Sequence, residues 1–212
     1  MDSGRFDWFG VLARENFPTL AAPYHGFHDM VFAEESSTAA LLLRCRREGL
    51  RDFGACMAAA TAWQILQGIE TLPVRMERHI ANTRKVLEFL RAHAFVGAIH
   101  HPELPEHRDY ELAKKYFPKG ASAVFSFDLK GTRAQGRAFI DNLRLFSHLA
   151  NVGDARSLVI HPASTTHSRM STEALTAAGI TEGTIRLSIG LEDAKDLIED
   201  LARALKAAER VK

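Results

Sequence analysis

The sequence is poor in the features that usually announce a chemistry. Its 212 residues hold two cysteines, Cys45 and Cys56. There is no CxxC pair and no Cys/His spacing suited to zinc, which excludes a disulfide framework and a motif-defined metal site. No apolar run reaches the ~18 residues of a membrane span, and "MDSGRFDWFG" has no basic stretch leading into an apolar one, so neither a span nor a signal peptide is expected. An excess of one charge is missing too: 27 basic residues against 26 acidic ones leave +1. Without a basic stripe, nucleic acid is not expected as a partner. GxxxxGK and GxGxxG are both absent, which removes the usual nucleotide motifs. Nothing repeats and no tract is polar enough to be disordered. The reading that remains is a folded, cytoplasmic protein with reduced thiols.

Hydrophobic residues make up 46% of the chain and charged ones 25%, the composition of an ordinary globular protein. Residues 1–35 are aromatic, aperiodic and punctuated by Pro and Gly, and read as an arm without a body of its own. A helical region follows. Ser36 or Ser37 is placed to cap its first helix and Gly49 to end it, and Pro73 divides a second apolar helix from a third. In that third helix Met76, Ile80, Leu87 and Leu90 fall on one face, making it a long helix between two packed bodies. Beyond residue 95, strands and helices alternate. "VGAIHH", "SAVFSFDL", "RSLVIHP" and "TIRLSIG" read as strands, and "STEALTAAG" as a short helix between Ser171 and Gly179. Leu191, Ala194, Leu197, Ile198, Leu201 and Leu205 give the last helix its apolar face. Residues 96–212 thus read as an α/β body with a complete core.

The stretch "NVGDARSLVIHPASTTHS" concentrates hydroxyls and imidazoles. His161 and His167 are wrongly spaced for one helical face and have no third ligand nearby, so a histidine hydrogen-bonded at a strand end is the expected role. "ASTTHS" lacks a GxSxG elbow, which argues against a serine triad. Cys56, in the apolar and helical context of "FGACMAAA", is poorly placed to become a thiolate nucleophile. The basic run "RCRREGLR" reads as an ion-paired or solvated face. Arg186 differs, because it sits among alternating apolar residues of a strand. A guanidinium there needs an anion, and either a structural carboxylate or a substrate carboxylate would serve.

The run "LFSHLANVGDARSLVIHPASTTHSRMSTEALTAAGITEGTIRLSIGLEDAKDLIEDLARAL", with "MERH", "QGIETL" and "SGRFDW" before it, resembles the pyridoxal-phosphate (PLP) enzymes of cysteine and methionine metabolism. Within them it is most similar to the O-acetylhomoserine sulfhydrylases, and the likeness covers essentially the whole chain. It implies an α/β fold, the C-terminal domain of a fold-type I transferase. Residues 1–95 would be the arm, connecting helices and linking helix that belong with a larger PLP-binding domain, and residues 96–212 the small C-terminal domain. In this family the arginine of the "RLSxG" strand binds the substrate α-carboxylate, which assigns that role to Arg186. The "NVGD" turn matches a position where relatives carry Ser or Asn on the same carboxylate, which adds Asn151. His161, Ser164, Thr165 and His167 become the scaffold of that wall.

The same resemblance places the Schiff-base lysine, the aspartate at the pyridine nitrogen and the phosphate donors before "SGRFDW", outside these 212 residues. The lysines present, Lys85, Lys114, Lys115, Lys119, Lys130, Lys195, Lys206 and Lys212, lie in charged, surface-like contexts that do not depress a pKa. The sequence therefore offers no catalytic, cofactor-binding or metal-binding residue of its own. It is expected to be inactive alone and to need an N-terminal PLP-binding half. The implied reaction is replacement of acetate in an O-acetylhomoserine-like amino acid by sulfide or another thiol, in a homo-oligomer. A noncatalytic amino-acid-binding module is the alternative.

Overall fold

The computed structural model describes residues 5–36 and 38–211. The chain divides into two compact units, one ending at Gln67 and the other beginning at Gly68.

The first unit is a succession of short helices: α1 (Val11–Asn16), α2 (Pro18–Ala21), a 3-10 turn at His25–Phe27, α3 (Phe32–Glu35), α4 (Ala40–Arg44), a π-helical stretch at Cys45–Leu50 and α5 (Arg51–Phe53). Pro18 opens α2 in the first turn, where its missing N–H costs no hydrogen bond. Trp8, Ala13, Leu20, Ala21, Phe32, Ala33 and Ala40 bury one another in a small cluster. Segment 1–35 is therefore not a bare arm, because its aromatic residues supply a local core. Phe6, Trp8 and Phe17 meet edge to face, with ring centroids 4.6–5.9 Å apart.

The next helix departs from expectation at both ends. Its N-cap is Ala39, which has no capping side chain. Ser36 instead closes α3 in an extended conformation, and Ser37 lies outside the described residues. The chain coils on past Gly49 and stops at Gly54, whose φ of 65° is left-handed. Glu48 explains the continuation: it pairs with Arg44 at 2.6 Å and accepts from the Tyr24 hydroxyl at 2.6 Å. Those ties outweigh the ~1 kcal/mol that an internal glycine costs a helix. The run at 44–51 is ion-paired as expected, through Arg44–Glu48 and Arg51–Asp52. Residues 54–58 are not helical and Cys56 is exposed, against the helical context read from the sequence.

Helix α6 (Ala59–Glu70) crosses the division, and none of its residues is buried. Pro73 opens α7 (Leu72–Ala92), the first long element of the second unit. There follow β1 (Val96–His100), α8 (Tyr110–Tyr116), β2 (Val124–Leu129), α9 (Arg133–Asp141), β3 (Ser147–His148), β4 (Leu158–Ile160), α10 (Thr172–Ala177), β5 (Thr184–Ser188) and α11 (Ala194–Glu209). The strands form one sheet in the order β1-β2-β5-β4-β3, antiparallel except for the β3–β4 pair. Strand period puts Phe125, Phe127, Leu129, Val159, Ile185 and Leu187 on one face. They pack with Phe139 and Ile140 of α9, Leu197, Leu201 and Leu205 of α11, and Val86, Leu87 and Leu90 of α7. Residues 96–212 therefore do not close the core by themselves, since α7 contributes a wall of it. Thr132 caps α9 in a reciprocal box with Gln135. Ser171 caps α10, and Gly179 follows it with φ 72°. No helix among the described residues is long and apolar enough to cross a membrane.

Phe127 is fully buried and meets Phe139 edge to face at 5.9 Å. Phe127→Ala is expected to lower unfolding free energy by about 3–5 kcal/mol, from lost burial and the cavity left behind. Denaturant titration followed by circular dichroism checks this, and a change below about 1 kcal/mol would contradict the packing described.

Candidate functional site

The sheet face opposite the helices carries the residues that could do chemistry. β5 is central, and its alternation turns Ile185 and Leu187 into the core while Thr184, Arg186 and Ser188 share the other face. Arg186 stands opposite Ser126 of β2 and Ile160 of β4. It is partly buried and makes no ion pair among the described residues. Its Nη2 donates instead to the main-chain carbonyl of Asn151 at 3.3 Å. The structural carboxylate that the sequence left open is thus not found, and the guanidinium keeps donors to spare.

Asn151 belongs to the exposed turn between β3 and β4. Its Oδ1 accepts from the Val152 N–H at 2.8 Å, which leaves the Nδ2 amide as the side chain's donor. Gly153, at φ 76°, supplies the left-handed residue that reverses this turn. Asn151, Ile160, Arg186 and Ser188 line a shallow surface notch. The two residues singled out in the sequence therefore come together, with a cation and an amide donor at one small opening. A carboxylate has the charge to complement them.

A wider open cleft beside β1 is lined by Arg91, His100, Glu106, His107, Arg108 and Asp109. Its charges are largely paired with one another, Arg91 with Glu106 at 3.6 Å and Arg108 with Asp109 at 3.3 Å. It has less unspent charge to offer a ligand.

Behind the notch, His161 is buried at 1% exposure. Its Nε2 lies 2.8 Å from the Glu182 carbonyl and its Nδ1 2.8 Å from Ser164 Oγ. A carbonyl only accepts, so Nε2 carries the proton and Nδ1 accepts from the serine. Thr165 Oγ1 donates to the His161 carbonyl at 2.9 Å, and the His167 N–H to the Pro162 carbonyl at 2.9 Å. Glu182 is itself held by a two-pronged bond from Arg133, at 2.5 and 2.8 Å. His161 thereby ties the chain after β4 to the chain entering β5. Gly136 of α9 permits it, because a Cβ there would lie 2.6 Å from His161 Nε2.

Burial pushes the His161 imidazole below its ordinary 6.5, despite the Glu182 carbonyl acting the other way. Burial does the same to His101, whose Nε2 donates to the Ser122 carbonyl.

The sequence did not reveal the residues that hold this wall. Glu192, Ser157, His79 and Asn82 knit together the loop that leaves β5. Buried Asp200 of α11 accepts the backbone N–H groups of Arg144, Leu145 and Phe146 at 2.8–3.3 Å, fixing the approach to β3. Asp200 follows a run of acids and bases on an amphipathic helix, and only its place between Leu197 and Leu201 could have flagged it. Among the described residues, no group of three His, Cys, Asp or Glu side chains gathers as a metal site.

Fold and notch together define an α/β domain that presents a partly exposed arginine from its central strand. The chain belongs to the family of Cys/Met metabolism PLP-dependent enzymes, which it matches over residues 10–206. It is 44% identical to the O-acetyl-L-homoserine sulfhydrylase of Leptospira meyeri, across 97% of this chain and 48% of that protein. It is 42% identical to the homocysteine synthase of Schizosaccharomyces pombe, across 98% of this chain and 48% of that protein. Among solved structures it resembles a putative O-acetylhomoserine (thiol)-lyase of Campylobacter jejuni, with TM-score 0.80, 42% identity, 91% of this chain and 45% of that one. That structure carries an N'-pyridoxyl-lysine-5'-monophosphate. The chain spans about half the length of the curated relatives it matches.

The family binds PLP, but the residues described here do not fit its covalent site. Every described lysine is exposed, whereas a Schiff-base lysine needs a closed pocket. Lys212 lies outside the described residues. No step of chemistry is therefore routed through the cofactor on this chain.

The pH dependence of stability follows from the two buried imidazoles. Each has a folded-state pKa below the unfolded value of 6.5, so the unfolded state takes up protons first as pH falls. Their contribution is present in full above about pH 6.5 and is lost as pH drops through the depressed folded values. Unfolding free energy measured between pH 8 and 5 is expected to fall on the acid side, and the His161→Gln variant to fall less steeply. Equal slopes in the two proteins would show that His161 does not carry the effect.

Proposed function

We propose that this chain provides the substrate-carboxylate wall of a PLP-dependent site of the O-acetylhomoserine sulfhydrylase type. Arg186 binds the α-carboxylate of the amino acid in a two-pronged grip and Asn151 Nδ2 adds a further donor. The observation that carries the reading is a partly exposed arginine on a central strand, on the face away from the main helical core, with no carboxylate partner among the described residues. Orientation is this wall's contribution: fixing the carboxylate sets which of the substrate's other bonds face the reactive group. The reaction is replacement of acetate in O-acetylhomoserine by sulfide or another thiol, which suits the names of the sulfhydrylases that the chain resembles.

On this reading the Schiff-base lysine belongs to a PLP-binding portion outside these 212 residues, and the chain by itself is inactive. The first unit belongs with that portion, and the sheet with α7, α9 and α11 packed on it forms the small domain. Support comes from α6, where Trp63, Ile65, Leu66 and Ile69 are 44–62% exposed. A helix so apolar in water is built to be covered. Trp8 Nε1 adds a buried donor without a partner among the described residues. The working state is a cytoplasmic homo-oligomer, consistent with two exposed, unpaired cysteines.

Two measurements test this. Titration of the purified 212-residue chain with PLP is expected to give no new absorption band and no lysine trapped by borohydride, and one stoichiometric adduct would overturn the assignment. In the second, the Arg186 Nε–Hε signal is followed by ¹⁵N NMR while O-acetyl-L-homoserine is added. It is expected to shift with a dissociation constant on the order of millimolar, as a single charge-assisted contact in an open notch allows. Arg186→Ala, followed by the amide signals of residues 151–156 since its own reporter is gone, is expected to abolish binding, and the α-amide of the ligand to leave the wild-type Arg186 signal in place. A response indifferent to the carboxylate would sink the role given to Arg186.

A further inference from the structure

The loop that leaves β5 is unusually well held. Four consecutive carbonyls receive donors from α7. The Ile189 carbonyl accepts from His79 Nδ1 at 2.6 Å and that of Gly190 from Asn82 Nδ2 at 3.0 Å. The Leu191 carbonyl accepts from Arg78 at 3.4 Å, and that of Glu192 from Asn82 at 2.8 Å and Arg78 at 3.2 Å.

On its other side the same loop is tied to the turn that carries Asn151. The Glu192 carboxylate accepts from the Ser157 N–H at 2.7 Å and from the Ser157 hydroxyl at 2.8 Å. The hydroxyl oxygen in turn accepts from the Gly190 N–H at 2.8 Å, and the Leu191 N–H donates to the Ala155 carbonyl at 2.8 Å. Ser157 is fully buried. A Cβ on Gly190 would lie 2.5 Å from the Ala155 carbonyl oxygen and from the Arg156 carbonyl carbon, so only glycine lets the two segments approach this closely.

We propose that Glu192 is a positioning residue for the carboxylate notch, acting by clamping the Asn151 turn against the end of the Arg186 strand. The two groups of the notch come from segments 35 residues apart in sequence; the β4–β5 ladder sets Ile160 beside Arg186, but the bond from Arg186 to the Asn151 turn itself is a single contact at 3.3 Å. Such a contact restrains an exposed turn only weakly. The carboxylate of Glu192 does more, because it satisfies two donors of a buried serine at once and so fixes where the turn ends and β4 begins. Glu192 does not touch the ligand. It sets the distance between the two groups that do, and a displacement of about 1 Å there is enough to weaken a carboxylate grip severely.

The inference rests on the assignment of Arg186 and Asn151 as carboxylate ligands for its consequence, but the clamp itself is measured without a ligand. The test uses the 212-residue chain and its Glu192→Ala, Glu192→Gln and Ser157→Ala variants. Hydrogen exchange of the Arg186 Nε–Hε group and the amide shifts of residues 151–156 report the clamp, and the amide exchange of Leu187 reports the core.

Glu192→Ala is expected to speed Arg186 Nε–Hε exchange about tenfold while Leu187 stays protected, and to weaken O-acetyl-L-homoserine binding about tenfold, the loss of roughly one charge-assisted bond. Glu192→Gln keeps one acceptor oxygen and is expected to recover most of both. An unchanged Arg186 signal in Glu192→Ala would overturn the clamp. If that variant does not fold, Ser157→Ala, which removes only the hydroxyl, decides the same question by the same signal. A wild-type chain in which no carboxylate moves Arg186 would end the functional reading and leave the clamp to stand or fall on exchange alone.

Discussion

Much of the second unit depends on how the chain is held as it leaves β5. A strand at the centre of a sheet ends in carbonyls that have lost their ladder partners, and buried carbonyls must be satisfied. Here α7 satisfies four of them in succession with Arg78, His79 and Asn82. The helix that walls the core with Val86, Leu87 and Leu90 therefore also fixes the main chain beside the notch. Core packing and site geometry share one element, so a shift of α7 along the sheet would be felt in both.

The two faces of that sheet differ in polarity. One face is Phe, Leu, Ile and Val against three helices. The other brings Asp128 to Thr184 at 2.5 Å, to Thr181 at 3.1 Å and to His100 at 3.0 Å, with Arg186 and Ser126 beside them. Asp128 thus has partners enough and stays out of the notch. Arg186 is left on this face without a described carboxylate partner.

The strands from β1 to β5 could be read from the sequence, except β3, since period-2 alternation and β-branched runs reflect burial directly. Ser171, Gly179 and Pro73 were legible as helix punctuation because capping is local. What escaped were residues whose partners are distant. The apolar face of α7 was visible in Leu87 and Leu90, but His79, Asn82 and Thr83, equally buried, look like surface positions until the loop at 189–192 is placed against them. Gly49 failed as a stop because Glu48 reaches Tyr24, 24 residues earlier. Arg186 stood out as a misfit in its strand, yet only the family likeness separated a substrate anion from a structural one. Glu192 and Ser157 gave no such sign, because a Glu after a Gly and a Ser before a strand are commonplace.

The notch has a further physical consequence. While it is open to water, the guanidinium of Arg186 needs no anion, since solvent satisfies the donors that Asn151 does not. Any polypeptide that covers this face removes that water, and an unpaired buried cation costs several kcal/mol. Covering the face is then favourable only if an anion arrives with the cover or before it. A substrate carboxylate bound as proposed for Arg186 would be such an anion, and its binding and the exclusion of solvent would then be one event. An arginine without a structural acid is thus better suited to this place than a satisfied one. A resident carboxylate would let the face close empty, whereas without one any closure would wait on an anionic ligand.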